Sequence, residues 1–292
     1  QDFAEGLALQ TAVALENATL HERDLEWARV QQDLNAARSL QQSLLPAAMP
    51  VIPGYSVAAR STTCYEVGGD YLDTIPQADG SHLIVVADVA GKGLASAIVA
   101  TSFRSALRSL AGQSLPLSEV AARMGNQHWE EGSEARRRYV TALFLRLRPE
   151  SGEIEIVNAG HNPPALVLPD QSIVMIEASG TPLGMLPGME YSAQTLAFPE
   201  GSRILLYTDG LTEVFCEEEE FGTERLVSLF RDARETYSEP ILDQLWEALA
   251  SFSCNAPQTD DMTALAICRL DPSARMEGGR AVHSSPQEFV NP

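Results

Sequence analysis

Four acidic stations stand beside glycine at the ends of apolar runs: Asp70 in Val67-Gly-Gly-Asp70, Asp88 in Asp88-Val-Ala-Gly-Lys-Gly93, Asp209 in Tyr207-Thr-Asp-Gly210, and the pair Asp260-Asp261. A strand end holds a side chain rigidly at the rim of a sheet, and neighbouring glycines admit carbonyls and ligands to close range. Two carboxylates about 4 Å apart repel by roughly 4 kcal/mol at an effective dielectric of 20, so a converging set requires a cation. Oxygen donors suit Mg2+ or Mn2+, and the lack of a nearby Cys or His pair argues against zinc. Any one Asp-Gly serves turn chemistry well enough; four together point to a site. Lys92 is the only lysine among 20 Lys and Arg and sits in Gly91-Lys-Gly93, at the start of an apolar helix. A cation there opposes the helix dipole and needs an anion, either a substrate phosphate or a structural carboxylate. His161, in Gly160-His-Asn-Pro-Pro164, has an ordinary pKa suited to a general acid, but between two strands it reads as a turn residue bonded to backbone. Glu217–Glu220 reads as a solvated loop.

Periodicity supplies the elements that carry these residues. From Asp2 to Leu45 there is no proline and apolar residues recur at helical spacing, which predicts one long helix or two in series. Within it Trp27/Leu34/Gln41 and Val30/Ala37/Leu44 keep a seven-residue step, fitting either a short coiled coil or a helix packed on its own domain. Pro46, Pro50 and Pro53 end it. Short apolar runs bounded by turn residues then predict strands at 55–60, 71–75, 83–87, 139–147, 154–158, 165–168, 173–176, 203–207 and 263–268, with Asp79-Gly80 as a hairpin turn. Helical patterns fall at 94–111 with 117–129 and at 224–234 with 241–252. Runs of strands with two helix pairs predict an α+β fold, an antiparallel β-sandwich flanked by helix pairs. The domains expected are a helical linker at 1–46, a catalytic domain at 47–270, and a disordered tail at 271–292, where periodicity stops.

Composition narrows the function. With 292 residues, 45% hydrophobic and 21% charged, the chain has material for a large core and no apolar stretch long enough for a membrane span. A net charge of −20 repels nucleic acid and anionic bilayers, so neither is an expected partner. Cys64, Cys216, Cys254 and Cys268 lie far apart with no C-x-x-C pair, which predicts reduced thiols and a cytoplasmic location. The chain opens at Gln1 with neither Met nor a signal sequence, as expected of a piece whose missing part lies upstream.

The segments Val67-Gly-Gly-Asp-Tyr-Leu-Asp73, Asp88–Gly93, Asn158-Ala-Gly-His-Asn-Pro-Pro164, Tyr207-Thr-Asp-Gly-Leu-Thr-Glu213 and Thr259-Asp-Asp-Met-Thr263 resemble, in order, the motifs of bacterial PPM-type phosphatases of the stage II sporulation protein E class. The resemblance spans roughly 40–270, with Gln41-Gln-Ser-Leu-Leu-Pro46 resembling the segment that leads into the catalytic domain and residues 3–22 resembling the closing helix of a GAF sensor. These relatives of protein phosphatase 2C imply a β-sandwich with helix pairs, two Mn2+ or Mg2+ ions, and single-step hydrolysis of phosphoserine or phosphothreonine. Residue by residue, Asp70, Asp88 and Asp209 match metal-binding aspartates, and the carbonyl of Val89 matches the backbone ligand. Asp260 aligns with the last metal-binding aspartate, and one residue of slippage would exchange it for Asp261. Asp73 is expected to hold a water of that centre or stand behind it. Where eukaryotic relatives carry a histidine proposed as general acid this chain has Ala90, and no arginine clearly takes the phosphate-gripping role. The resemblance further implies a phosphorylated STAS-domain anti-anti-sigma protein as substrate, an upstream sensor in the same chain, and a homodimer through the N-terminal helix. Two rivals are a two-metal nuclease, disfavoured by the charge, and a decayed phosphatase-like binding module, disfavoured by the intact aspartates.

Overall fold

The computed structural model describes residues 2–46 and 48–271, so all of the tail expected at 271–292 except Asp271 lies outside the described residues. The first element is a single helix, α1 (Asp2–Leu44). Its heptad residues divide: Leu34, Ala37, Gln41 and Leu44 are half-buried, whereas Trp27 and Val30 are exposed. The later part of the helix is therefore packed on its own domain, and only the earlier part presents a free seam.

Two five-stranded antiparallel sheets follow. One runs β1 (Tyr55–Thr62), β12 (Met262–Arg269), β9 (Arg203–Tyr207), β6 (Ala165–Val167), β7 (Ile173–Met175); the other runs β2 (Tyr71–Pro76), β3 (His82–Val89), β4 (Val140–Arg148), β5 (Glu153–Ala159), β8 (Gln194–Ala197). All nine expected strands are present. The hairpin turn falls at Gly80, whose φ of 80° suits glycine. Strand β8 and the small hairpin of β10 (Phe215–Cys216) and β11 (Glu219–Glu220) are additions, because Gln194–Ala197 is a largely exposed edge with no apolar run to announce it.

The sheets face each other through Val86, Leu143, Leu145 and Ile156 on one side and Ile204, Leu206, Leu265 and Ile267 on the other. The outer face of the second sheet packs Val85, Phe144 and Val157 under α2 (Leu94–Ala111) and α3 (Leu117–Glu130); the single turn α4 (Ser133–Arg136) follows. The outer face of the first sheet packs Leu205, Tyr207 and Ala266 under α5 (Gly222–Asp232) and α6 (Ser238–Phe252). Strands covered on both faces must be apolar at successive positions, which is why β3 and β12 read as continuous runs. Among the described residues no helix is long and apolar enough to cross a membrane.

One cysteine expectation is overturned. Cys216 in β10 and Cys254 after α6 form a disulfide, their Cα atoms 5.4 Å apart across 38 residues of sequence. Folding of α5 and α6 back on the sheet brings the two together, which sequence spacing cannot show. Cys64 and Cys268 are free thiols, as expected.

Candidate metal centre

The acidic stations meet at one rim of the sandwich because the strands that carry them are neighbours. Tyr71 pairs with Ala87, placing Asp70, just before β2, beside Asp88 at the end of β3. Tyr207 pairs with Ala264 and the Thr208 N–H donates to Thr263 O at 2.9 Å, bringing the 3-10 turn Asp209–Leu211 against Asp260-Asp261. Glycine makes the approach close. A Cβ at Gly69 would lie 2.9 Å from the Val89 carbonyl oxygen and 3.5 Å from Asp88 Oδ1, and one at Gly68 would lie 2.4 Å from Asp261 Oδ2. Asp261 organises this loop: its Oδ1 accepts from the Cys64 N–H at 2.7 Å and its Oδ2 from the Gly69 N–H at 2.8 Å.

The remaining carboxylates are poorly compensated. Burial, then Asp88 and Asp261, holds the pKa of Asp70 well above the carboxylate range, against hydrogen bonds from Thr263 and Thr208; the Thr208 hydroxyl donates to Asp70 Oδ2 at 2.8 Å. Burial, with Asp209, Asp260 and Asp261, pushes Asp88 up to about 7, against the pull of Lys92. Burial and Asp260 raise Asp209, and burial, Asp209 and Asp260 raise Glu213. Lys92 is the cation that opposes the shifts of Asp88, Asp209 and Glu213: its ammonium lies 2.8 Å from Asp260 Oδ2 and donates to Thr259 O at 2.5 Å. It has thus found a carboxylate at the rim. Asp260 Oδ1 accepts from the Asp261 N–H at 2.9 Å.

Among the described residues, no three His, Cys, Asp or Glu side chains are already closed to metal-ligand spacing. The donor chemistry nonetheless fits a hard divalent cation. It is an all-oxygen set, the Asp88 carboxylate accepts no hydrogen bond from any described side chain, and burial together with like charge raises the pKa of Asp70, Asp88 and Asp209. Asp70, Asp88, Asp209, Asp260 and the Val89 carbonyl are the groups that would hold it.

Two other residues and one acidic run fall elsewhere. Asp73, expected near the centre, points into a separate ion pair: Arg108 donates to Oδ2 at 2.7 Å and to Oδ1 at 2.8 Å, with Tyr71 OH and the Thr74 N–H also bonded to it. No lone pair is left in a position to serve the rim. His161 is a buried turn residue whose N–H donates to Asn158 Oδ1 at 2.8 Å, and burial pushes its ring down to about 4. It is neutral at pH 7 and no proton donor of the imidazolium kind. Glu217–Glu220 is exposed, as expected, but only its first half is loop: Glu219–Glu220 form strand β11, and Glu219 pairs with Arg225. The residue that sequence reading passed over is Arg138, which donates to Ser96 Oγ at 3.2 Å and to Ala90 O at 3.4 Å, bracing the turn after Asp88. Only the triple arginine Arg136-Arg-Arg138 before β4 could have drawn attention to it.

Residues 78–270 match the family described as stage II sporulation protein E (SpoIIE). The chain belongs to the SpoIIE family. Phosphoserine phosphatase RsbP of Bacillus subtilis is 28% identical over 188 residues, which are 63% of this SpoIIE-family chain and 46% of RsbP. The chain thus spans less than half the length of that curated relative. Among solved structures, the RsbU and RsbW domains of Rv1364c from Mycobacterium tuberculosis are 30% identical with a TM-score of 0.64, covering 77% of this chain and 64% of that one. The SiaA-PP2C domain of Pseudomonas aeruginosa is 20% identical with a TM-score of 0.72, covering 84% of this chain and 98% of that one. The sandwich with its flanking helix pairs is therefore the PP2C fold.

Proposed function

We propose that this SpoIIE-family chain is a metal-dependent protein serine/threonine phosphatase, with residues 47–270 as its catalytic domain and 1–46 as a helical linker from an upstream sensor. The observation that carries this reading is the rim of Asp70, Asp88, Asp209 and Asp260, where burial and like charge raise the pKa of Asp70, Asp88 and Asp209 and the Lys92 ammonium lies beside Asp260. Two Mn2+ or Mg2+ ions there would supply a nucleophilic water near neutral pH and neutralise phosphoryl oxygens. The chain's residues prepare the place. Asp261 spends both oxygens on the 64–69 loop and so fixes Asp70, which favours Asp260 over Asp261 as the last ligand. Were Asp260 to hold a cation, Lys92 would be released from it and available to a substrate phosphate.

The substrate we propose is phosphoserine or phosphothreonine of an anti-anti-sigma STAS-domain protein. RsbP is named a phosphoserine phosphatase, and the Rv1364c structure carries RsbU and RsbW domains in one chain. A chain of net charge −20 attracts no small anion from a distance, whereas a phosphoprotein docks by shape and apolar contact and brings its phosphate with it. The exposed Trp27 and Val30 would pair two copies as a coiled coil. The location proposed is the cytoplasm, where a reducing thiol pool would open the Cys216–Cys254 bond. The test is phosphate release from a phosphoserine STAS protein with Mn2+, with and without chelator. Loss of release with chelator and a rate that rises with salt are expected; faster hydrolysis of phosphotyrosine or a nucleotide overturns the substrate, and chelator-insensitive release overturns the metal.

A further inference from the structure

The end of α1 is fastened to the loop that leads into Asp70. Arg38 donates from Nε to Glu66 O at 2.8 Å and from Nη2 to Tyr65 O at 3.2 Å, and Gln31 Nε2 donates to Glu66 Oε1 at 2.8 Å. The last contact is a matched pair. Gln41 Nε2 donates to Gly68 O at 2.8 Å while Gln41 Oε1 accepts from the Gly68 N–H at 3.1 Å. A primary amide carries one donor face and one acceptor face, so it satisfies both polar groups of one buried peptide residue as a neighbouring strand would. From the opposite side, Arg104 Nε donates to Leu44 O at 2.9 Å, so α2 holds the end of α1 in place.

Gly68 has no freedom to drift without consequence. A Cβ there would stand 2.4 Å from Asp261 Oδ2, the oxygen that accepts from the Gly69 N–H at 2.8 Å, and Asp70 is the next residue. Any shift of Gly68 therefore moves Asp70 and disturbs Asp261 together. Gln41 and Asp70 also line one small cleft with Thr101 and Arg104 of α2. Resting on the metal-dependent reading above, we propose that Gln41 is a positioning residue: its two-way clamp on Gly68 holds Asp70 where it can share a cation with Asp88, so that the seating of α1 sets the affinity of the centre for metal.

The experiment uses the full chain and reads Mn2+ binding directly, by the paramagnetic resonance of free Mn2+, alongside kcat at saturating Mn2+ and the melting temperature without metal. Gln41→Ala should weaken Mn2+ binding about tenfold, the scale on which supports behind a ligand act, with kcat at saturation within about twofold. Gln41→Glu keeps the acceptor for the Gly68 N–H but loses the donor, and should weaken binding at least as much; it serves if the alanine variant melts early. The exposed neighbour Gln42→Ala should change nothing. Equal Mn2+ affinity in wild type and both Gln41 variants overturns the clamp and leaves the phosphatase reading standing. A fall in kcat with unchanged affinity overturns it too. Failure of the wild type to bind Mn2+ overturns the metal reading, and the clamp with it.

Discussion

Asp70 and Asp73 lie at the start of the same strand in opposite surroundings. Asp73 is fully buried and saturated: a forked Arg108, the Tyr71 hydroxyl at 2.5 Å and the Thr74 N–H at 2.8 Å take up its oxygens. Asp70 has the hydroxyls of Thr208 and Thr263 for support and looks onto Asp88 and Asp261. A carboxylate that already owns its cation contributes to the fold; one held among like charges by a rigid rim is a standing demand for a cation the chain does not supply. Local sequence does not separate the two, since both belong to the stretch Gly-Gly-Asp-Tyr-Leu-Asp. The layer each faces does.

Asparagine at each kind of site should therefore do opposite things. Asp88→Asn or Asp209→Asn should cut turnover by about 10²–10³-fold, the cost of losing one electrostatic element of a site, while the metal-free melting temperature stays level or rises because repulsion is relieved. Asp73→Asn should cost about 2 kcal/mol of stability, below the figure for a wholly buried pair because Arg108 is 42% exposed, with kcat near wild type. Full activity in either rim variant, or inactivity of a well-folded Asp73→Asn, breaks the comparison.

Acidity offers a smaller effect on the same contrast. Asp88 has a folded pKa of about 7 against an unfolded value of roughly 3.9, so the folded state binds the extra proton and the group destabilises the metal-free protein more as pH rises through 7. His161 works in the other direction: its pKa is depressed to about 4, so its contribution is lost as pH falls from about 6.5 toward 4. The clean window lies from about pH 8.5 to 6.5, where acidification should raise the metal-free melting temperature and weaken Mn2+ binding through proton competition. A melting temperature that falls across this window would show that the rim is not held against its charge.

The legible parts of this molecule were those in which one residue type has one physical use. Strands buried on both faces announce themselves as apolar runs, as β3 and β12 do, and glycine beside an acid marks a rim. What stayed hidden depends on partners distant in sequence. The Asp73–Arg108 pair joins residues 35 apart and the disulfide residues 38 apart. Asp260 and Asp261 are neighbours of one type, told apart because Asp261 is taken by the N–H groups of Cys64 and Gly69 while Asp260 faces Lys92. The seven-residue step of α1 fits two partners equally, and only the half-burial of Leu34 and Gln41 shows that the later part rests on its own domain.

The smallest expected effect concerns Lys92, the one cation in the group. Its side chain is 44% exposed and that of Asp260 28% exposed, so their pairing is worth little in water, about 1 kcal/mol at most. A bond that weak would yield readily if Asp260 took up a divalent ion, which would leave the ammonium at the rim without that carboxylate. Loss of the charge in Lys92→Gln also removes the pull that lowers Asp88, Asp209 and Glu213. Two changes follow: the pH at which Mn2+ half-saturates the protein moves upward, and at saturating Mn2+ the KM for a phosphoprotein rises about fivefold, the equivalent of one exposed ion pair. The two readouts separate the roles. A shifted Mn2+ profile with an unchanged KM leaves Lys92 as the counter-ion of Asp260 alone and removes it from the substrate side of the site.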